Sequence, residues 1–152
     1  MADISILAPL AGVLGLVCAL VIYAIVVKQS AGTEKMISIG EEIHLGAMTF
    51  LKAEYTKLVV FVVIVAGLLF AGFGIETAMA FIAGALCSGL AGFIGMKAAT
   101  KSNVRTAAAA KDKGVAAALL VAFNGGAVMG LSVASLGLIG LGALYYFYGS
   151  VD

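Results

Sequence analysis

The chain has 152 residues, of which 63% are hydrophobic and 11% are charged, and its mean hydropathy is +1.17. A soluble domain is about half apolar and about a quarter charged, so this composition predicts a membrane protein with the lipid bilayer as its solvent. The net charge is +1, and the basic residues flank apolar segments instead of forming a stripe on a folded surface. This pattern argues against a nucleic-acid partner.

The first apolar segment, residues 4–27, contains no charged side chain. About 20 helical residues cross roughly 30 Å of hydrocarbon, so this segment is predicted to span the bilayer. Pro9 lies near its start, where a missing backbone donor costs little, and it is expected to mark the first helical turn. The chain start lacks the basic region of a secretory signal.

Residues 28–57 are predicted to form the first polar connection. Apolar residues recur there at spacings of three and four, with charged residues on the opposite side, which is the pattern of an amphipathic helix. Thr33 is the expected N-cap, and Glu34 follows it at the positive end of the helix. This helix is expected to run directly into the next span, residues 58–75.

The third span, residues 77–96, is predicted to form a tight hairpin with the second, around the turn signal between Gly72 and Glu76. A second basic connection follows at residues 97–125. Its alanine-rich stretch is expected to be helical because alanine has the highest helix propensity.

The last uncharged run, residues 114–151, would be about 57 Å long as one straight helix, nearly twice the hydrocarbon thickness. We therefore expect a helical lead over residues 115–123 and a span over residues 126–147, with a bend or junction at Asn124, Gly125 and Gly126. A re-entrant turn at this place is the alternative.

The resulting fold class is all-α: a polytopic membrane protein with four transmembrane helices and an amphipathic cytoplasmic helix. All nine basic residues fall in the two connections: Lys28, Lys35, Lys52, Lys57, Lys97, Lys101, Arg105, Lys111 and Lys113. Because basic loops stay in the cytoplasm, both connections are expected inside and both ends of the chain outside. Only Asp3, Glu76 and Asp152 carry charge on the outer side.

Glycine is abundant, with 20 residues, and small residues let membrane helices pack closely. Gly126 and Gly130 form a GxxxG pair, and Gly130→Leu is expected to disrupt assembly. Ser132 and Ser135 are expected to bond within their helix or to lie at a helix contact. Asn124 is a candidate for bonding an adjacent helix. Cys18 and Cys87 have no zinc or redox spacing and are interpreted as packing residues.

No residue is predicted to act in catalysis, to bind a cofactor or to ligate a metal. Glu41 and Glu42 are adjacent and point in different directions on a helix, which is typical of a solvated face. Glu76 is interpreted as an interfacial cap. His44 is the single histidine and has no second histidine or cysteine nearby to complete a metal site. A phosphate loop is also absent, because no Lys-Ser/Thr pair follows Gly125-Gly126.

The stretch from Gly95 to Ala110, GMKAATKSNVRTAAAA, resembles the membrane-bound, ion-translocating inorganic pyrophosphatases of the proton- or sodium-pumping type. The segments AFIAGALCSGLAGFIGM and FNGGAVMGLSVASLGLIGL on either side are similar to the neighbouring spans of that family. GTEKM at Gly32 and GAMTFLKAEY at Gly46 resemble its first cytoplasmic connection. These motifs occur in the family's order.

The resemblance implies homodimers of long chains with two concentric rings of helices, of which these four would belong to the outer ring. It implies hydrolysis of magnesium-pyrophosphate coupled to outward movement of H⁺ or Na⁺, with Mg²⁺ as cofactor and K⁺ needed by some members. The family's Asp-rich catalytic motifs come later than the portion seen here. This chain alone is therefore expected to be inactive, with the remaining helices as its partners in a prokaryotic plasma membrane.

Two other classes remain open at this point. A rotary-ATPase proteolipid has glycine-rich helices in about this length, but it needs an ion-carrying carboxylate within a span. A small non-enzymatic membrane scaffold would need no such residue.

Overall fold

The chain consists of four long α-helices in a computed structural model, which describes the backbone of residues 2–149 and the side chains of residues 6–149. The helices are α1 Ala2–Val27, α2 Glu34–Phe73, α3 Ile75–Lys113 and α4 Val115–Tyr148. No strand occurs within this described part. Each helix is long and apolar enough to cross a membrane. The all-α, four-helix prediction is confirmed. The side chain of Asp3 and the whole of Asp152 lie outside the described residues.

Helix α2 begins where the sequence predicts it. The Thr33 hydroxyl oxygen accepts a hydrogen bond from the Met36 amide at 3.4 Å, and Glu34 follows in the first turn. From there the helix is unbroken for 40 residues to Phe73. The amphipathic segment and the second span are therefore one continuous helix, as expected.

Single glycines join the last three helices. Gly74 connects α2 to α3 with φ of 89° and ψ of 178°, and Gly114 connects α3 to α4 with φ of 84° and ψ of −179°. This region of backbone space is essentially open to glycine alone. The connection at Gly74 lies inside the predicted hairpin. The connection at Gly114 lies ten residues before the predicted junction at Asn124. Helix α4 passes through Asn124 without a break, so the re-entrant alternative is wrong.

The predicted position of Pro9 in the first helical turn is wrong. Helix α1 already begins at Ala2, and Pro9 lies inside it instead of in the first turn. Its ring faces Gly142 on α4, where an added Cβ would lie 2.5 Å from the ring carbons. Gly142 therefore provides the space that the proline ring occupies.

The helices form a layer in the spatial order α2, α3, α4, α1, and the residue contacts between neighbours show that they run antiparallel. Helix α1 packs mainly on α4 and has a small contact with α3 near its C-terminal end. The buried side chains are small: the largest that are fully buried are Val26, Val128 and Ser132, and most of the others are alanines. Large apolar side chains instead cover the outside, as expected where lipid is the solvent.

Both polar connections are largely helical. Residues 34–57 belong to α2 and residues 97–113 to α3. These two helices, with 40 and 39 residues, are each about 60 Å long at 1.5 Å per residue, whereas the hydrocarbon core is about 30 Å thick. Their polar halves therefore extend beyond the bilayer at one end. The exact span limits, including those at residues 126–147, stay predictions.

Candidate functional site

The polar halves of α2 and α3 lie side by side at one end of the layer. An added Cβ on Gly40 would lie 3.1 Å from Val104 Cβ, and His44 lies beside Thr100. This antiparallel register brings the two predicted basic connections together. We call this part of the molecule, residues 28–57 with residues 97–114, the charged end.

Arg105 links the charged end to α1. Its Nε and Nη2 atoms donate to the Val27 carbonyl oxygen at 3.2 and 3.0 Å, and its Nη1 donates to the Lys101 carbonyl at 2.8 Å. Val27 is the last residue of α1, where carbonyl groups lack helical partners and the helix dipole is negative. The guanidinium group therefore caps α1. Sequence reasoning missed this role because the two residues are 78 positions apart.

His44 makes a helix–helix contact. Its Nδ1 lies 2.7 Å from the Thr100 hydroxyl, which in turn donates to the Met96 carbonyl at 3.0 Å. Within the part of the chain that the structure describes, no three His, Cys, Asp or Glu residues are grouped so as to hold a metal ion. The single histidine is thus placed between helices, with its ring bonded to a threonine.

The carboxylates singled out in the sequence are spread along the surface. Glu41 and Glu42 are exposed on α2, and Glu76 is exposed in the first turn of α3, where the positive helix end favours a negative charge. Glu54 accepts a hydrogen bond from Lys57 Nζ at 3.1 Å. These carboxylates do not supply the converging oxygen ligands that Mg²⁺ requires, so no step of a metal-dependent reaction is assigned to them.

The small polar residues of α4 lie at helix contacts, as predicted. The buried Ser132 hydroxyl donates to the Val128 carbonyl at 2.7 Å. The buried Ser135 packs against Gly12 and Gly15 of α1. Cys18 and Cys87 are both free thiols; Cys87 is partly buried, whereas Cys18 is exposed and does not pack within this chain as predicted.

Tyr55 connects the two helices of the first hairpin near the boundary between their polar and apolar halves. Its hydroxyl donates to the Gly89 carbonyl on α3 at 2.5 Å. A Cβ added at Gly92 would lie 2.8 Å from the tyrosine hydroxyl oxygen. Gly92 therefore makes room for the phenol, and Gly89 supplies the carbonyl that accepts its hydrogen bond. This tyrosine is not among the residues predicted from the sequence.

A groove lined by small residues runs between α3 and α4. Its two sections have volumes of about 420 and 430 Å³ and meet at Met129. One section is lined by Ala99, Asn103 and Gly126, and the other by Ser88 and Gly137, among others. Nothing lies within 4 Å of a Cβ added at Gly126 or at Gly130. Among the side chains that the structure describes, none packs closely on the predicted GxxxG pair.

Comparison with known proteins points to one family. The family model described as inorganic H⁺ pyrophosphatase matches residues 13–152. A putative K⁺-stimulated pyrophosphate-energized sodium pump of Clostridium tetani is 48% identical over 140 residues, which are 92% of this chain and 21% of the relative.

Two further relatives extend the comparison to both ion types. A K⁺-insensitive pyrophosphate-energized proton pump of Methanosarcina mazei is 41% identical over 147 residues, 95% of this chain and 22% of the relative. A K⁺-stimulated sodium pump of Thermotoga maritima, also energized by pyrophosphate, is 42% identical over 128 residues, 84% of this chain and 18% of the relative. The chain thus spans about a fifth of the length of the relatives it matches.

Proposed function

Because this chain belongs to the inorganic H⁺ pyrophosphatase family, we propose that it forms the four N-terminal membrane helices of a pump that couples pyrophosphate hydrolysis to transport of H⁺ or Na⁺. The observation that carries the proposal is the family match over residues 13–152, at 48% identity to one relative. The relatives' names include both sodium and proton pumps, so either ion is consistent with it.

In this proposal the four helices are scaffold, and the reaction takes place on helices that this chain does not contain. Support comes from the donor set: the carboxylates at Glu41, Glu42 and Glu76 are exposed and dispersed. Hydrolysis of magnesium-pyrophosphate needs several oxygen ligands and compensating cations in one place. We therefore expect this chain alone to be inactive, and Mg²⁺, with K⁺ in K⁺-stimulated pumps, to bind the remaining portion.

The charged end is proposed to lie in the cytoplasm of a prokaryotic cell, with the opposite end of the layer outside. The basic residues are concentrated at one end of the bundle, and Glu76 marks the other, which is the asymmetry that sets orientation in membranes.

Co-expression tests the assignment to a pump. The 152-residue chain is produced with the remainder of the Clostridium tetani relative, which lacks the matched fifth, and the relative's own matched segment serves as positive control. We expect co-purification of the two parts and magnesium-dependent phosphate release by the pair. Neither part alone should release phosphate.

Two outcomes would contradict the proposal. Phosphate release by the purified chain alone would overturn its role as scaffold. Failure to assemble, under conditions in which the relative's own segment does assemble, would favour an independent membrane scaffold instead of a pump component.

Cysteine labelling tests the orientation. In a background that lacks Cys18 and Cys87, Lys111→Cys and Glu76→Cys are each exposed to a membrane-impermeant maleimide on intact cells. We expect labelling at position 76, with labelling at position 111 only after the cells are opened. The reverse pattern would place the charged end outside.

A further inference from the structure

Helix α3 has two exposed faces of different character. One face carries Met79, Leu86, Leu90 and Phe93, at spacings of seven, four and three, with exposed fractions between 43% and 63%. The opposite face carries Gly84, Ser88, Ala99 and Asn103, which are also exposed, at spacings of four, eleven and four. Each set keeps to its own side of the helix because these spacings are close to whole turns of 3.6 residues.

The face with small residues is continuous with α4. It forms one wall of the groove that extends along α3 from Gly84 to Ala110, and Gly126 and Gly137 contribute to the other wall. At 1.5 Å per residue this groove is about 39 Å long. The groove follows the predicted spans along residues 84–96 of α3 and residues 126–144 of α4, and it continues into the charged end. It can therefore hold a membrane-spanning helix that extends beyond the bilayer on that side, as α2 and α3 do.

Physical chemistry distinguishes the two faces. Helices in lipid gain little from apolar burial against each other, and they associate through close backbone approach and interhelical hydrogen bonds. The groove offers both features, since its glycines permit close approach and Ser88 and Asn103 carry a hydroxyl and an amide. Leucine, methionine and phenylalanine on the other face suit contact with lipid chains.

We infer that the groove between α3 and α4 receives a membrane-spanning helix from the part of the pump that this chain does not contain, and that the Leu86–Leu90 face of α3 contacts lipid. This inference rests on the proposed function. The relatives extend over about five times the matched length, and helices in the same polypeptide are present at a high effective concentration. A second copy of this chain lacks that advantage.

Spin labels measure which face becomes covered. In the background without Cys18 and Cys87, single cysteines at Ser88 and Ala99 report on the groove, and cysteines at Leu86 and Phe93 are the matched controls on the other face. The labelled chain is reconstituted into liposomes. The collision rate of each nitroxide with dissolved oxygen, which reaches labels both in the lipid and at its surface, is measured for the chain alone and after assembly with the remainder of the Clostridium tetani relative.

We expect the collision rate at the two groove positions to fall at least threefold on assembly, and the rates at Leu86 and Phe93 to stay within about 30% of their starting values. If a label in the groove blocks assembly, co-purification is lost for Ser88 and Ala99 and retained for the controls, which supports the inference equally. Independently, Ser88→Leu is expected to lower co-purification at least tenfold, and Leu90→Ala to leave it unchanged.

The failures are distinguishable. If the parts assemble and protection appears at Leu86 and Phe93 instead of the groove, this inference is overturned and the proposed function stands. Dipolar broadening between labels at Ser88 in the chain alone would assign the groove to a second copy and would also overturn it. If the unlabelled parts do not co-purify, the proposed function fails, and the inference fails with it.

Discussion

The side chain of Arg105 on α3 donates two hydrogen bonds to one atom, the carbonyl oxygen of Val27 at the end of α1, at 3.2 and 3.0 Å. These helices are not neighbours in the layer, since α4 lies between them along most of their length. The arginine therefore joins α1 to the charged end at a point where the α1 backbone leaves its helical hydrogen bonding. A positive charge also complements the negative end of the helix dipole there.

Removal of this cap should loosen the end of α1. We expect Arg105→Gln to lower the free energy of unfolding by about 1 kcal/mol, because charge-assisted hydrogen bonds contribute about 1.5–3 kcal/mol and this one is partly solvated. Thermal loss of the monodisperse peak in size-exclusion chromatography measures the change. Lys97→Gln removes an exposed charge from the same helix and should have little effect. Equal effects of the two substitutions would show that net charge, and not the cap, is responsible.

Two glycines should respond to the same substitution with opposite sign. A Cβ added at Gly12 would lie 2.6 Å from the Ser135 carbonyl oxygen, a backbone atom, whereas one added at Gly46 meets nothing within 4 Å. Gly12→Ala should therefore force α1 away from α4 and cost about 1–3 kcal/mol. Gly46→Ala should stabilise α2 by about 0.5–1 kcal/mol through helix propensity. Thermal stability in detergent decides the sign of each effect, and a stabilising Gly12→Ala would contradict the close contact.

The single-residue turn at Gly74 has a φ of 89°, which a side chain rarely tolerates. We expect Gly74→Ala to destabilise the α2–α3 hairpin by about 1–3 kcal/mol, although an added Cβ would meet no neighbour. Gly72→Ala is the matched control, because that residue is helical and equally free of neighbours. If the melting temperatures of both variants exceed that of the parent chain by the same amount, the turn is not under conformational constraint.

Tyr55→Phe isolates one interhelical hydrogen bond. The phenol donates to the Gly89 carbonyl, and side-chain hydrogen bonds between membrane helices contribute about 0.6 kcal/mol on average. We expect a destabilisation of about that size, measured by the same melting experiment. Tyr146→Phe, on an exposed ring, should be neutral. A loss above about 2 kcal/mol for Tyr55→Phe would mean that the substitution also disturbs the packing around Gly92.

The sequence predicts what is decided locally. The start of α2 follows from a threonine cap and an acidic first turn, and both act within four residues. Four apolar helices follow from segment length and the absence of charge, because lipid admits few alternatives for a hydrogen-bonded backbone. The antiparallel hairpin at Gly74 follows from a short glycine-rich break between two spans.

The remainder depends on partners that sequence spacing does not reveal. Gly114 and Gly125 both lie in the last uncharged run, residues 114–151. Gly114 makes the turn between α3 and α4, whereas Gly125 packs directly against Ser102 of α3. The choice between turn and close contact is made by the opposite helix. The cap that Arg105 places on Val27 is hidden for the same reason. Likewise, the groove appears only when the registers of α3 and α4 are known.

Gly130 separates folding of this chain from assembly of the pump. It is exposed on α4, and an added Cβ meets nothing within 4 Å, so Gly130→Leu should leave the melting temperature of the isolated chain unchanged or slightly raised. If another helix packs closely on this side of α4, the added leucine should keep the two backbones apart, because such contacts depend on small residues. Co-purification with the remainder of the Clostridium tetani relative should then fall at least tenfold.

Leu138→Ala, which changes an exposed residue of the same helix, is the control. Normal assembly by Gly130→Leu would show that no helix packs closely on Gly130. Loss of folding in the isolated chain would contradict the open space beside Gly130.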